Sequence, residues 1–200
     1  MLTQLSTVKT RLAIDEFDLT YDTILTNAIN AISFRFDKET NRTLARTVNI
    51  TQEFDADDTE VCLSCYPFES LTRFELKTTE AEGWIVQTAI DFLIRRTCIL
   101  SLPSPLCYQL STLQLSTPLA RATYTGGYVL PGATPGAGQT PLPADLEQAA
   151  VEQVAAWFQH RDKLGIDTSW PHAGTYEKFA QLDLLLNVQT VLKRYQRFSI

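Results

Sequence analysis

The chain has 200 residues, of which 44% are hydrophobic and 20% charged, and a net charge of −6. A chain of that length buries roughly 70% of its unfolded surface, enough for one real core, so a single domain over 1–200 is expected. The composition excludes a disordered acidic tail, and the acidic balance excludes a protein that holds DNA by neutralising its phosphates.

The first residues lack the uninterrupted apolar segment of a signal peptide, and no run of about 18 apolar residues occurs, which predicts synthesis in the cytoplasm and no membrane partner. Four cysteines in a chain this long do not resemble the framework of a small secreted domain, and all four are expected to be reduced.

Leu5, Val8 and Leu12 recur at helical spacing before Asp15, Glu16 and Asp18 interrupt the pattern as an acidic connection. Thr20 is placed to accept a hydrogen bond from a first-turn N–H of a second helix, and Asp22 sits at the positive end of its dipole. Leu25, Ala28, Ile29, Ile32 and Phe36 line the face that this helix buries.

From about Leu44 to Thr125 the period changes. Val48, Ile50, Val61, Leu63, Phe74, Leu76, Ile85, Thr97, Ile99 and Tyr124 stand in short β-branched and aromatic runs, which predict an antiparallel sheet inserted between helices. Pro103, Pro105 and Pro118 confine the later strands to edges or loops, since proline cannot donate to a ladder. Residues 87–96 fit either a strand or a short helix.

Between Gly126 and Pro143 lie five of the eight glycines and four of the nine prolines, so this stretch is expected to sustain neither helix nor strand. Pro143 then opens a helix in which Asp145 and Glu147 suit the dipole, and Leu146, Ala150, Val154, Trp157, Phe158 and Arg161 share a face as far as Gly165. A last helix is expected from about Thr175 to Gln196, with Leu182, Leu185, Val188, Leu192 and Tyr195 as its stripe. Lys193, Arg194 and Arg197 sit at its negative end. The predicted fold class is α+β, mainly an α-helical bundle of two N-terminal and two C-terminal helices with an inserted antiparallel β region. Its parts are the helices of 1–43, the β-rich insertion of 44–125, the Gly/Pro loop of 126–142, and the helices and tail of 143–200.

Reactive constellations are missing from the sequence, and neither a catalytic site nor a cofactor is expected. Gly127 and Gly132 have the spacing of a phosphate-binding loop, but Ala133 stands where a lysine is required. Cys62 and Cys65 spell C-x-x-C, yet in an extended run an offset of three sends the side chains to opposite faces. Cys98 and Cys107 do not supply the second tight knuckle of a zinc site. Asp55, Asp57, Asp58 and Glu60 lack the glycine and later glutamate of a calcium loop and read as a solvated hairpin tip. His160 and His172 belong to no metalloprotease motif. Among the aromatic residues, Trp157 suits the core, whereas Tyr128 and Trp170, beside irregular segments, suit an interface.

The ordered pieces Arg121-x-x-Tyr124-x-Gly126-Gly127-Tyr128-x-x-Pro131, Leu142-Pro143-x-Asp145-Leu146, Arg161-Asp162-x-Leu164-Gly165 and Leu185-Leu186 to Tyr195-Gln196-Arg197 resemble the head-to-tail connector (adaptor, head-completion) proteins of long-tailed phages. The N-terminal pair of helices, with Leu5, Val8, Lys9 and Leu12 before an acidic connection, is similar too, and the likeness covers perhaps half the chain. The β-rich middle is longer than that family's mostly helical core, and Asn187 stands where a proline is often found.

The resemblance implies a structural virion protein at the head-tail junction. It implies a homo-oligomeric ring, usually of twelve copies, docked beneath the portal protein and followed by a further neck or tail-completion protein. DNA would pass through the channel without sequence-specific binding. The interface candidates on this reading are Tyr124, Gly126, Gly127, Tyr128, Arg161, Asp162, Trp170, Lys193, Arg194, Tyr195 and Arg197. Two rivals stand beside it: a small ligand- or peptide-binding module using the β-rich middle and Trp84, and a metal-dependent hydrolase at Asp55, Asp57 and Asp58.

Overall fold

The first helix, α1 (Leu5–Leu12), stops where Ala13 turns left-handed at φ 56°, and its N–H bonds back to Lys9 and Thr10 carbonyls. The acidic connection that follows is fastened by a buried lysine. Lys9, 3% exposed, directs Nζ to the Glu16 carbonyl at 3.0 Å, the Asp18 carbonyl at 2.9 Å and Asp22 Oδ1 at 2.5 Å. Thr20 does not cap the next helix, which starts at Asp22; its own N–H donates to Asp18 Oδ1 at 2.9 Å in the turn before it. The Thr20 hydroxyl, and then this N–H, hold the Asp18 carboxyl below its usual range.

These contacts belong to a computed structural model, which describes residues 1–88, 90–102, 118–161 and 183–197. The chain divides into two compact units, one of residues 1–40 with 142–195 and the other of residues 41–141 with 196–200.

In the helical unit, α2 (Asp22–Thr40) buries Leu25, Ile29, Ile32 and Phe36, the stripe that its spacing predicts. The next helix, α3 (Ala144–Gln159), is capped by Pro143 and by His160 at its ends. It is buried around most of its circumference, at Leu146, Ala149, Ala150, Val151, Gln153, Val154 and Ala155, because it packs against each of the other three helices. It ends at Gln159, before the predicted Arg161, and Gly165 lies outside the described residues.

The last helix, α4, covers only Leu186–Lys193. Leu185 is extended, at φ −55° and ψ 144°, so the predicted helix is broken there, and its part before 183 falls outside the described residues. Gln153, 1% exposed, holds the extended approach: its Oε1 accepts from the Leu185 N–H at 2.8 Å, and its Nε2 donates to the Asp183 carbonyl at 3.3 Å.

The β unit is built from three sheets. Strands β1 (Thr47–Asp55), β3 (Phe68–Lys77), β4 (Ile85–Val86) and β7 (Leu119–Gly126) form a four-stranded sheet in the order β1-β7-β3-β4, and each pair is antiparallel. Strands β2 (Glu60–Cys62), β5 (Leu93–Arg95) and β6 (Ile99–Ser101) form an antiparallel sheet in the order β2-β6-β5. Alternate side chains of the larger sheet, Phe74, Leu76, Ala120, Ala122 and Tyr124, meet Val61, Leu63, Leu100 and Leu102 in one apolar core. On the opposite face the buried Glu75 is paired in register with Arg121.

Three expectations are corrected here. The molecule is α+β with a β-rich core, not mainly a helical bundle: the described residues hold four helices and nine strands, and the β unit has a core of its own. The shortening of the last helix and the self-sufficient packing of 41–141 account for the difference. The Gly/Pro stretch does hold strands, since β8 (Tyr128–Val129) and β9 (Thr140–Pro141) pair in parallel at its two ends. Two residues suffice because neighbouring backbone supports them: the Tyr128 N–H donates to the Leu44 carbonyl and the Arg46 N–H to the Tyr128 carbonyl, each at 2.8 Å. The acidic tip is not a hairpin, because β1 and β2 belong to different sheets and 56–59 carries the chain between them. Finally, the ambiguous 87–96 contains β5.

Candidate assembly surfaces

Of the predicted interface residues, Tyr124, Gly126, Gly127 and Tyr128 converge inside the β unit. The Tyr124 ring is fully buried and stacks on Phe68 with centroids 6.3 Å apart. Its hydroxyl accepts from the Ser64 and Cys65 N–H groups at 3.1 Å each and lies 3.2 Å from Gln52 Oε1, to which it donates. Burial pushes its phenol pKa up, although the hydrogen bonds from Ser64 and Cys65 oppose the shift.

The two glycines follow because the chain has no room for a side chain at that corner. A Cβ on Gly126 would sit 2.6 Å from the Cys65 carbonyl oxygen, and one on Gly127 would sit 2.6 Å from that of Ala45. Gly127 also adopts φ +102°, which is strained for any other residue.

Tyr128, 8% exposed, helps to enclose a buried cation that sequence reading overlooked. Arg42, 4% exposed, places its guanidinium carbon 3.2 Å from the Tyr66 ring centroid and 5.2 Å from that of Tyr128, and its Nη2 donates to the Tyr66 carbonyl. Such stacking on aromatic faces stabilises a cation withdrawn from water. Burial raises the Tyr66 phenol pKa, against the pull of the Arg42 guanidinium.

Cys62, Cys65 and Cys98 lie in the same region and are free thiols. Cys65 Sγ donates to the Gly126 carbonyl at 3.2 Å, while Cys62 Sγ points to the Leu63 carbonyl at 3.9 Å, so the C-x-x-C residues turn to different partners. Burial raises the Cys98 thiol, and the neighbouring Cys62 adds to the shift. Cys107 lies outside the described residues, within which no group of three or more His, Cys, Asp or Glu side chains is arranged to hold a metal.

Trp84 is half-buried under a charged cluster. Its ring lies 4.2 Å from the Arg121 guanidinium carbon and 5.7 Å from Lys77 Nζ. Arg121 in turn reaches the buried Glu75 carboxylate at 2.7 Å, and Arg73 reaches it at 2.7 Å from the other side.

Solvent-facing candidates lie in the helical unit. Lys193 and Arg194 are exposed. Tyr195 donates to Asp145 Oδ1 at 2.7 Å, tying the end of α4 to the start of α3. Arg161 stacks 4.2 Å from the Phe158 ring centroid and 5.4 Å from that of Tyr21. Asp162, Trp170 and His172 fall outside the described residues. The sequence reading also passed over the large apolar side chains that this unit leaves in water: Phe17 is 89% exposed, Leu186 79%, and Leu19 and Phe34 72% each. Phe34 carried a signal, since it stands off the Leu25–Phe36 stripe of its own helix.

In the β unit a groove of about 700 Å³ runs beside β1 and β2, lined by Asn41, Gln52–Phe54, Asp57–Cys62 and Arg197. Arg197 donates from Nη2 to the Cys62 carbonyl.

Comparison with solved structures shows that this fold has relatives. The chain resembles one from the neck of an empty GTA particle computed with C6 symmetry, with a TM-score of 0.56 at 15% identity, covering 98% of this chain and 89% of that one. A chain from the virion of a native gene transfer agent (GTA) particle matches with a TM-score of 0.54 at 14% identity, over the same shares. At such identities the shared property is the fold. No protein-family model and no curated protein matches the sequence.

Proposed function

We propose that the chain is a structural subunit of a phage-like neck, assembling as a closed ring beneath a portal and extending the DNA channel from a filled head toward the tail. The observation that carries this reading is the fold itself, shared over 98% of the chain with a chain from a GTA particle neck. The ordered sequence pieces that resemble head-to-tail connectors point the same way.

The chemistry agrees with that role. Tyr124, Gly126, Gly127, Tyr128, Arg42 and Glu75 are engaged in holding the β unit together. The groove beside β1 and β2 is lined chiefly by polar and charged groups, which suits a protein contact better than the apolar ligand pocket of the binding-module alternative. A ring with cyclic symmetry requires two different patches that meet head to tail. The exposed Phe17, Leu19, Phe34 and Leu186, together with Lys193, Arg194 and Arg161, are the side chains from which such patches would be built. A net charge of −6 suits a conduit that lets a duplex pass without retaining it.

Mixing the purified chain with portal rings tests the reading by native mass spectrometry. The expected result is a closed set of copies added per portal. Absence of association at every ratio would overturn it.

A further inference from the structure

Strands β1 and β2 are both edge strands. Among the described residues β1 pairs only with β7, and β2 only with β6. Both strands line the groove, and no backbone ladder joins them. The Gln52 side chain spans part of the gap, donating from Nε2 to the Cys62 carbonyl at 3.0 Å and accepting from the Ser64 N–H at 2.8 Å. Unpaired strand edges are templates for an added extended segment unless something covers them.

The charge of the groove says what that segment carries. Glu53, Asp57, Asp58 and Glu60 line it, and among the described residues only Glu60 has an ion-pair partner, Arg95 at 2.6 Å. One cation already enters. Arg197, from the end of the chain, lies in the groove with its guanidinium on the Cys62 carbonyl, and it follows Lys193 and Arg194 within a stretch of five residues. The groove and the basic segment are thus complementary surfaces of one sequence.

We infer that the groove between the β1 and β2 edges is a receptor for an extended, arginine-bearing segment, and that in the assembled neck the occupant is the segment ending at Arg197 of a neighbouring copy. The second half rests on the ring reading. Exchange of this segment between copies gives the ring a head-to-tail link in which backbone edges supply the attachment and the carboxylates select a basic side chain.

The groove is tested without any ring. A labelled peptide Val-Leu-Lys-Arg-Tyr-Gln-Arg-Phe-Ser-Ile, matching residues 191–200, is titrated by fluorescence anisotropy into full-length chain carrying Arg197→Ala. Saturable binding is expected, weakened about tenfold or more by Asp57→Lys with Asp58→Lys in the chain, or by glutamate at the last arginine of the peptide. No binding, or binding indifferent to both changes, overturns the receptor.

The occupant is tested by mixing a chain carrying Arg197→Glu, whose groove is intact, with a chain carrying Asp57→Lys and Asp58→Lys, whose tail is intact. Native mass spectrometry is expected to show mixed species that neither variant forms alone. If the peptide binds but no mixed species appear, the neighbouring copy is not the occupant. Failure of the ring reading is a separate result, seen when wild-type chain ignores portal.

Discussion

The two units keep buried polar groups satisfied over very different distances along the chain. In the helical unit the buried Lys9 ammonium is met by carbonyls only seven and nine residues away. In the β unit the Tyr124 hydroxyl joins N–H groups 60 and 59 residues away and a glutamine 72 residues away. The helical unit satisfies Lys9 locally and Gln153 over 32 residues, whereas the β unit ties its buried hydroxyl across longer spans, and both leave large apolar side chains in water, Phe17 and Leu186 in the first and Val48 and Leu93 in the second. On the proposed function, these longer ties make the β unit the rigid body of the subunit.

The sharpest way to break that comparison is at the glycine corner. Gly127→Val drives a branched side chain into the Ala45 backbone at a left-handed position, and about 3 kcal/mol or more of stability is expected to be lost in urea denaturation. A loss under about 1 kcal/mol would mean that the corner is soft and the β unit is not the rigid member. Lys9→Met ranks next. It leaves two carbonyls and the Asp22 carboxylate without their cation, and about 2–3 kcal/mol is expected in the same measurement.

Tyr124→Phe keeps the ring and removes the hydroxyl that the Ser64 and Cys65 N–H groups depend on, so about 1–2 kcal/mol is expected to be lost. Alkaline pH probes the same unit. The Tyr66, Tyr124 and Cys98 pKa values are all raised by burial, so below the ordinary thiol and phenol values, near about 8.5 and 10, their contribution is fully present. As pH climbs past those values the unfolded chain releases protons that the folded one retains. Thermal stability is therefore expected to fall across that window, and the Tyr124→Phe variant is expected to fall less steeply.

The smallest effect on stability is expected at the exposed apolar side chains. Phe34→Ser and Leu186→Ser are expected to shift unfolding by no more than about 0.5 kcal/mol while weakening association with portal, read by native mass spectrometry. Undiminished association in both variants would remove these side chains from the contact surface.

What the sequence made legible follows the same divide. The Leu25–Phe36 stripe and the Leu146–Val154 face were readable because a helix writes its burial at a period of 3.6 residues. The runs around Phe74, Leu76 and Tyr124 announced strands but not their order, since the pairing of β3 with β7 rests on contacts more than forty residues apart. Arg42 carries no burial signal in the sequence, and only the approach of Tyr66 and Tyr128 encloses it. The broken start of α4 escaped notice because Gln153, thirty-two residues upstream, takes the Leu185 N–H that the helix would have used. The groove was invisible for the same reason, as its walls come from two strands that share no ladder.

Particles assembled without this chain reveal whether it builds the junction. Electron cryomicroscopy of such particles is expected to show heads bearing portals but no joined tails, with the neck layer missing and restored when the wild-type chain is added back. Particles with complete necks, packaged DNA and attached tails in its absence would contradict the claim that it builds the junction.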